Sequence, residues 1–189
     1  MMRRLLLFFF LCGVLTTSAQ TLIRDVFKQM PDSIVPYLTA NNRLDFIDFI
    51  DSNMKAEVTN SLGGKSELVK LTDSYLNLVL NASASLQMRL LDVTEPVDSA
   101  SQIICFVRTF GTDIQESIVD FYSLKWKPLP LSGYLKLPDG MFVATLGDEA
   151  ATLTITPVTR LDPPANEEQK EIIEKSTILK WKNKFVNDN

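Results

Sequence analysis

The chain has 189 residues, with 19 lysines and arginines against 23 aspartates and glutamates, and a formal net charge of −4. It contains no histidine and only two cysteines. The lack of imidazoles excludes Ser-His-Asp and Cys-His catalysis and the usual catalytic zinc sites. The acidic balance also gives no electrostatic reason to bind nucleic acid.

Residues 1–19 have the order of a secretory signal peptide. Arg3 and Arg4 precede an apolar run at residues 5–15, and small residues then allow cleavage after Ala19. The run is shorter than the roughly 20 apolar residues that a membrane-spanning helix needs. We therefore expect export to the periplasm or out of the cell. Cleavage would leave a mature chain of residues 20–189 with a net charge of −6, one domain and no membrane span.

Two helices are predicted at the start of the mature chain. In residues 21–30, apolar side chains recur four residues apart, as in an amphipathic helix. Asparagines at positions 41 and 42 are the predicted caps of a second helix. Its predicted apolar stripe consists of Leu44, Ile47, Ile50 and Met54, and its exposed side carries Asp45 and Asp48.

Arg43 and Asp51 fall on the apolar side of the second predicted helix. An unpaired buried charge is costly, so each residue needs a partner or an open helix end. Both are therefore candidate ligand-binding residues, with one of them expected to line a pocket. The alternative is that both are structural residues, hydrogen-bonded to the segment that follows the helix.

The letters GGKS at residues 63–66 look like the end of a phosphate-binding loop. That loop needs a glycine five positions before Gly64, and Thr59 stands there. Gly63 and Gly64 are instead predicted to form a tight turn, and we expect no nucleotide binding. The acidic stretch DFIDFID at residues 45–51 lacks the glycine and glutamate of a calcium loop. We expect no metal site, no cofactor and no catalytic residue.

Alternating apolar residues predict strands from about residue 66 onward. The almost continuous apolar run at residues 103–110 is typical of a central strand covered on both faces. Gly147 and Asp148 favour a hairpin turn, and residues 167–175 and 177–185 are predicted to form a short helix and a last strand. The predicted fold class is α+β, with the N-terminal helices packed on one antiparallel sheet of about six to eight strands.

Four aromatic residues in the strand-rich half are candidates for recognition: Tyr122, Trp126, Tyr134 and Trp181. Exported binding proteins stack sugars or peptides on such rings, so Trp126 and Trp181 are candidate ligand-binding residues. The alternative is that both tryptophans are core residues, because each stands between two lysines, as on a strand whose tryptophan points inward.

Several short motifs of the mature chain match those of a known family: Met30-Pro31-Asp32-Ser33, Asn42-Arg43-Leu44-Asp45, Asp48, Asn60, Gly63-Gly64-Lys65-Ser66 and the stretch FYSLKWKPL at residues 121–129. Through them the sequence resembles an uncharacterised family of secreted proteins from Gram-negative bacteria of the gut, known only as a domain of unknown function. The resemblance covers essentially the whole mature chain. It implies an exported protein and supplies no activity or site residue.

The export signal and the missing catalytic set favour a non-catalytic binding or interaction protein of the cell envelope. Its expected partner is an envelope protein or glycan. One alternative is a glycan or peptidoglycan hydrolase that works through two carboxylates. Another is a carrier of an apolar ligand, which needs a wide cavity between helices and sheet.

Overall fold

The computed structural model describes residues 21–158 and 176–187. The predicted signal peptide and the predicted short helix at residues 167–175 lie outside the described residues. Within them, the chain forms two helices, α1 (Ile23–Lys28) and α2 (Ala40–Asp51), a 3-10 turn (Leu131–Gly133) and eleven strands. The strands are β1 (Glu57–Thr59), β2 (Lys65–Leu71), β3 (Tyr75–Asn81), β4 (Ala84–Val97), β5 (Ala100–Phe110), β6 (Glu116–Ser123), β7 (Pro128–Leu129), β8 (Phe142–Leu146), β9 (Thr152–Pro157), β10 (Thr177–Trp181) and β11 (Phe185–Asn187).

The strands form two antiparallel sheets. The larger sheet contains β1 to β7 in chain order, and the smaller sheet has the order β11-β10-β9-β8. The predicted α+β class with one sheet covered by the N-terminal helices is therefore wrong: the described residues are mostly β, with two short helices and a second sheet. Alternation along a strand reveals which face is buried, but it does not reveal which strands pair. The pattern therefore gives no sign that the first sheet ends at β7 and that a second sheet begins at β8.

The helix α2 begins with a capping box at Thr39. The Thr39 hydroxyl accepts from the N–H of Asn42, and the Asn42 side chain accepts from the N–H of Thr39. The predicted caps at Asn41 and Asn42 are therefore wrong by two to three residues. Asp45 and Asp48 are exposed as predicted. Neither helix in the described ranges is long and apolar enough to cross a membrane.

The strand β5 is buried on both faces, as its apolar run predicts. One face contributes Ile104 and Phe106 to a cluster that also contains apolar side chains of β2 to β4 and of the N-terminal region. The other face contributes Ile103, Cys105 and Val107 to a second cluster, which contains the inner side chains of the smaller sheet. Cys105 is fully buried, and burial raises the pKa of its thiol.

The smaller sheet is fixed to the larger one at β8. The N–H of Ala144 donates to Ser117 Oγ, and the N–H of Leu146 donates to Gln87 Oε1, both at 2.9 Å. The predicted hairpin at Gly147 is confirmed, because β8 pairs with β9 around this turn. The buried guanidinium of Arg89 on β4 donates to Gly147 O at 2.7 Å, and so ties the turn to the larger sheet.

Candidate functional site

The strand β4 carries a wide bulge near its end. Asp92 pairs with Gln102 of β5, and the next pair is Val97 with Ala100. Residues 93–96 therefore lie opposite the single residue Ser101. Bulges of this kind are over-represented beside active and binding sites, because they redirect side chains and end strand pairing. We name the concave surface beside it the bulge groove; its volume is about 340 Å³, and it is lined by Val93, Thr94, Glu95, Pro96, Val97, Tyr134 and Asn183.

Side chains from the smaller sheet cover the edge of β4 at the bulge. The strand β3 pairs with β4 only as far as Arg89. Beyond it, the indole N–H of Trp181 donates to Asp92 O at 2.6 Å, and the N–H of Thr94 donates to Asn183 Oδ1 at 2.9 Å. Pro96 has no N–H to offer. Asp92 O and the N–H of Thr94 are thus already occupied at this edge, and the donor at Pro96 is absent, which leaves fewer partners for an added strand.

Two tight turns hold the walls of the bulge groove. The turn between β4 and β5 has positive φ angles at Asp98 and Ser99, as a two-residue hairpin requires. Asp98 accepts from Lys127 Nζ at 3.1 Å, and this hydrogen bond lowers the pKa of the carboxyl group. The turn between β10 and β11 has a positive φ at Asn183. The two walls are therefore fixed by short turns rather than by long loops.

Tyr134 supplies the aromatic surface of the bulge groove. Its ring lies nearly parallel to that of Trp181, with 6.0 Å between the centroids and an angle of 26°. Buried Phe121 lies on the same rings, 5.0 Å from Tyr134 and 6.3 Å from Trp181. The N–H of Phe185 donates to Tyr134 O at 2.7 Å. These contacts fix the position of the Tyr134 ring, which is half-buried and lines the groove.

The polar groups of the bulge groove suit hydrogen bonding rather than catalysis. Glu95 supplies a carboxylate, Thr94 a hydroxyl and Asn183 an amide. Among the described residues, Glu95 is the one acidic residue in the lining, and the nearby carboxylate of Asp92 accepts from Gln102 Nε2 at 2.9 Å. Glycoside hydrolysis needs two carboxylates around one bond. Within the described ranges, the His, Cys, Asp and Glu side chains form no group of three that could hold a metal ion.

Of the two predicted tryptophan candidates, only Trp181 lies beside the groove. Trp126 is 7% exposed, and its indole N–H donates to Val26 O at 3.1 Å, so it is a core residue. The prediction that Trp126 points inward is confirmed, but the strand predicted around it is wrong. Trp126 lies in the turn between β6 and β7 with a φ of 61°.

The predicted candidates Arg43 and Asp51 do not meet at a common site. Arg43 is 2% exposed and donates to Leu38 O at 2.6 Å and to Asp32 Oδ1 at 2.8 Å. Asp51 accepts from both terminal nitrogens of Arg24, at 2.9 and 3.1 Å. These bonds support a structural role for both residues. The prediction that their partners lie in the following segment is wrong, because all of them precede α2 in the chain.

The GGKS stretch is a hairpin turn, as predicted. It joins β1 to β2, Gly63 has a φ of 80°, and the turn closes around the buried side chain of Asn60. The main-chain N–H groups of Leu62 and Gly64 donate to Asn60 Oδ1. In a phosphate-binding loop these amides would point at the ligand. Here both amides donate to Asn60 within the turn, and so they stabilise the turn.

The bulge at residues 93–96 and the role of Asn183 were not predicted from the sequence. One signal was available for the bulge: Pro96 interrupts the strand pattern, and a proline inside a strand is confined to an edge or a bulge. For Asn183 no local signal exists, because its partner Thr94 is 89 positions away in the chain.

The architecture defines a mostly β protein of two antiparallel sheets. The family model described as "Protein of unknown function (DUF3256)" matches residues 14–150, and the chain belongs to this family. The resemblance to a domain-of-unknown-function family is thereby confirmed, whereas secretion and a gut source stay predictions. No curated protein matches the chain.

A solved structure has a similar fold. It is titled "Structure of a domain of an uncharacterized protein from Porphyromonas gingivalis W83". The TM-score is 0.70 at 20% sequence identity, and the match covers 87% of this chain and 96% of the other. At this identity the likeness concerns the fold alone.

Proposed function

We propose that this protein is an exported, non-catalytic binding protein of the cell envelope, and that it binds its partner in the bulge groove. The observation that carries the proposal is the groove itself: a preformed concave surface of about 340 Å³ that combines an aromatic ring with a carboxylate, a hydroxyl and an amide. Concave sites with a few placed polar groups are the usual form of a binding site.

The support for binding without catalysis is chemical. The chain has no histidine, and the only cysteine in the predicted mature chain is Cys105, whose buried thiol has a raised pKa. The groove supplies one carboxylate where a glycosidase needs two. The support for export is the order of charges and apolar residues in residues 1–19. Sequencing the N-terminus of the protein from its native host tests export separately, with Gln20 as the expected first residue.

Capture from a solubilised cell envelope tests binding at the groove. The exposed side chain of Thr94 lines the groove, so Thr94→Arg fills it with a bulky side chain without touching the core. Thr112→Arg is the matched control, because Thr112 is exposed in the turn between β5 and β6 and the change in charge is the same. Each variant is immobilised beside the wild-type protein, and the retained proteins and glycans are compared.

We expect the wild-type protein and Thr94→Arg to differ in the amount of envelope material that they retain. Wild type and Thr112→Arg should retain the same material, and Thr94→Arg should lose at least about 90% of it, which corresponds to a tenfold weaker affinity. Equal retention by all three proteins, or no reproducible retention by the wild-type protein, would refute the proposed function.

A further inference from the structure

We propose that the ligand of the bulge groove is a neutral saccharide, which stacks on Tyr134 and is hydrogen-bonded by Glu95 and Asn183. The inference rests on the proposed function and adds the chemical class of the ligand. Three properties of the groove point to this class: the state of the β4 edge, the pairing of ring and polar groups, and the charge.

The edge of β4 is a poor site for a peptide strand. Strand addition depends on main-chain hydrogen bonds to an open edge. At the bulge, Asp92 O is occupied by Trp181 and the N–H of Thr94 by Asn183. Pro96 supplies no donor. These contacts favour recognition through side chains over a ladder of backbone bonds.

The side chains present match the surface of a sugar ring. A pyranose has a face of C–H groups, which stacks on an aromatic ring, and hydroxyl groups around its rim. Tyr134 presents such a ring, fixed by Trp181 at 6.0 Å and by Phe121 at 5.0 Å. The carboxylate of Glu95 accepts hydrogen bonds from hydroxyls, and the NH2 group of Asn183 donates to them. Asn183 Oδ1 is already used by Thr94, and this bond orients the amide.

The charge of the groove selects a neutral ligand over an anionic one. Among the described residues, Glu95 is the one carboxylic acid in the lining, and Lys182 and Lys184, which flank Asn183 in the chain, are not part of it. A negative group in the groove would be repelled by the Glu95 carboxylate. The repulsion acts in the same direction as the net negative charge of the chain.

Calorimetric titration with defined probes tests the class of ligand. The probes are neutral gluco-, manno-, galacto- and xylo-oligosaccharides of two to six units, with uronic acid oligomers and short peptides as comparisons. We expect at least one neutral series to bind the wild-type protein in a saturable way. Tyr134→Phe, which keeps the ring, should bind within about threefold of wild type. Tyr134→Leu, which removes it, should bind about fivefold more weakly, because a stacking contact contributes about 1 kcal/mol.

Glu95→Gln provides a second variant whose fold is not at risk, because Glu95 is exposed. It should weaken the binding of neutral saccharides about fivefold, because glutamine keeps an acceptor oxygen and loses only the additional strength of about 1 kcal/mol that the charge gives the hydrogen bond. Glu116→Gln, which removes an exposed carboxylate outside the groove, is its matched control and should bind as wild type.

Three results would overturn the saccharide assignment: no neutral series binds, peptides or acidic oligomers bind in preference, or Tyr134→Leu binds as tightly as Tyr134→Phe. The proposed function fails separately. If Thr94→Arg loses envelope material that survives periodate treatment, which destroys sugars with vicinal diols, the groove is a binding site for another class of ligand. If Thr94→Arg loses nothing, the groove is not the site.

Discussion

Replacing Asn60 by alanine is predicted to destabilise the protein by opening the turn between β1 and β2. Asn60 is 5% exposed. Its Oδ1 accepts from the N–H groups of Leu62 at 3.0 Å and Gly64 at 3.2 Å, and its Nδ2 donates to Ser66 Oγ at 3.0 Å. Nδ2 also makes a longer contact of 3.4 Å to Leu80 O. Alanine offers none of these bonds, and the three shorter ones determine most of the expected loss.

The expected loss follows from these contacts. Three hydrogen bonds at a net value of about 1 kcal/mol each give about 3 kcal/mol. The N–H of Leu62 lies in an exposed turn, where water can replace Asn60. Ser66 Oγ also keeps its bond to Leu80 O at 2.7 Å. These two effects reduce the expected loss of unfolding free energy to about 2 kcal/mol, or roughly thirtyfold in the folding equilibrium constant.

Urea unfolding followed by tryptophan fluorescence measures this loss. Two glycine variants of the same turn serve as controls. In Gly64→Ala, the new Cβ lies 3.5 Å from Asn60 Nδ2, an ordinary contact, so the change should stay within about 0.5 kcal/mol. In Gly63→Ala, the positive φ of 80° is strained for alanine and should cost about 1 kcal/mol. An Asn60→Ala protein within 0.5 kcal/mol of wild type, at an unchanged m-value, would refute the assignment of Asn60 as the centre of the turn.

Three further predictions follow from burial and charge. Cys105 should resist iodoacetamide at pH 8 in the native protein and react once unfolded, because burial raises its pKa; rapid labelling of the folded protein would contradict its position. Trp126→Phe should lower the unfolding free energy by about 1–2 kcal/mol, because the hydrogen bond to Val26 O is lost, and an unchanged urea midpoint would argue against this contact. Stability should be constant from pH 7 to about pH 5 and fall below about pH 4. Lys127 and Lys70 lower the pKa values of Asp98 and Asp148, and a lowered carboxyl pKa gives stability that is lost as the pH falls through it. Glu57, whose pKa is lowered by Lys55 and Lys65, contributes in the same direction. Because all three carboxyl groups are exposed, Asp98→Asn and Asp148→Asn together should make this acid limb slightly less steep, and an unchanged limb would show that neither pair contributes.

Features that depend only on residues close together in the sequence were predictable: the burial of a strand, the position of a turn and the exposed side of a helix. The uninterrupted apolar run of β5 predicts burial on both faces, and both faces are buried. The glycine turns at Gly63 and Gly147 were found because a change of chain direction needs residues with few steric limits. The side of α2 that carries Asp45 and Asp48 was also found, because helical periodicity is a local property.

The pairing of strands and the position of the groove were not predictable. Residues 177–185 were predicted to form one strand, whereas β10 and β11 turn back on each other at Asn183, which adopts the positive φ that asparagine tolerates. The stripe predicted for α2 contained Leu44 and Met54, but both are exposed. The buried positions are set instead by contacts with segments that are distant in sequence, and periodicity within α2 cannot contain that information.

The groove illustrates the same limit at the level of function. Thr94, Tyr134 and Asn183 come from three regions of the chain that the two-sheet architecture brings together. Trp181 was singled out for its ring, yet its indole N–H holds Asp92 O and its ring supports Tyr134. Trp181 therefore supports Tyr134, the residue that we propose contacts the ligand.

Binding at the bulge groove is tested most directly by amide chemical-shift mapping of the 15N-labelled protein during titration with solubilised cell envelope. We expect shifts at Thr94, Glu95, Tyr134 and Asn183, and we expect the same titration of Thr94→Arg to leave them unchanged. Shifts confined to the exposed apolar residues Phe110, Ile114 and Ile118, or no shifts at all, would contradict the assignment of the groove as the binding site.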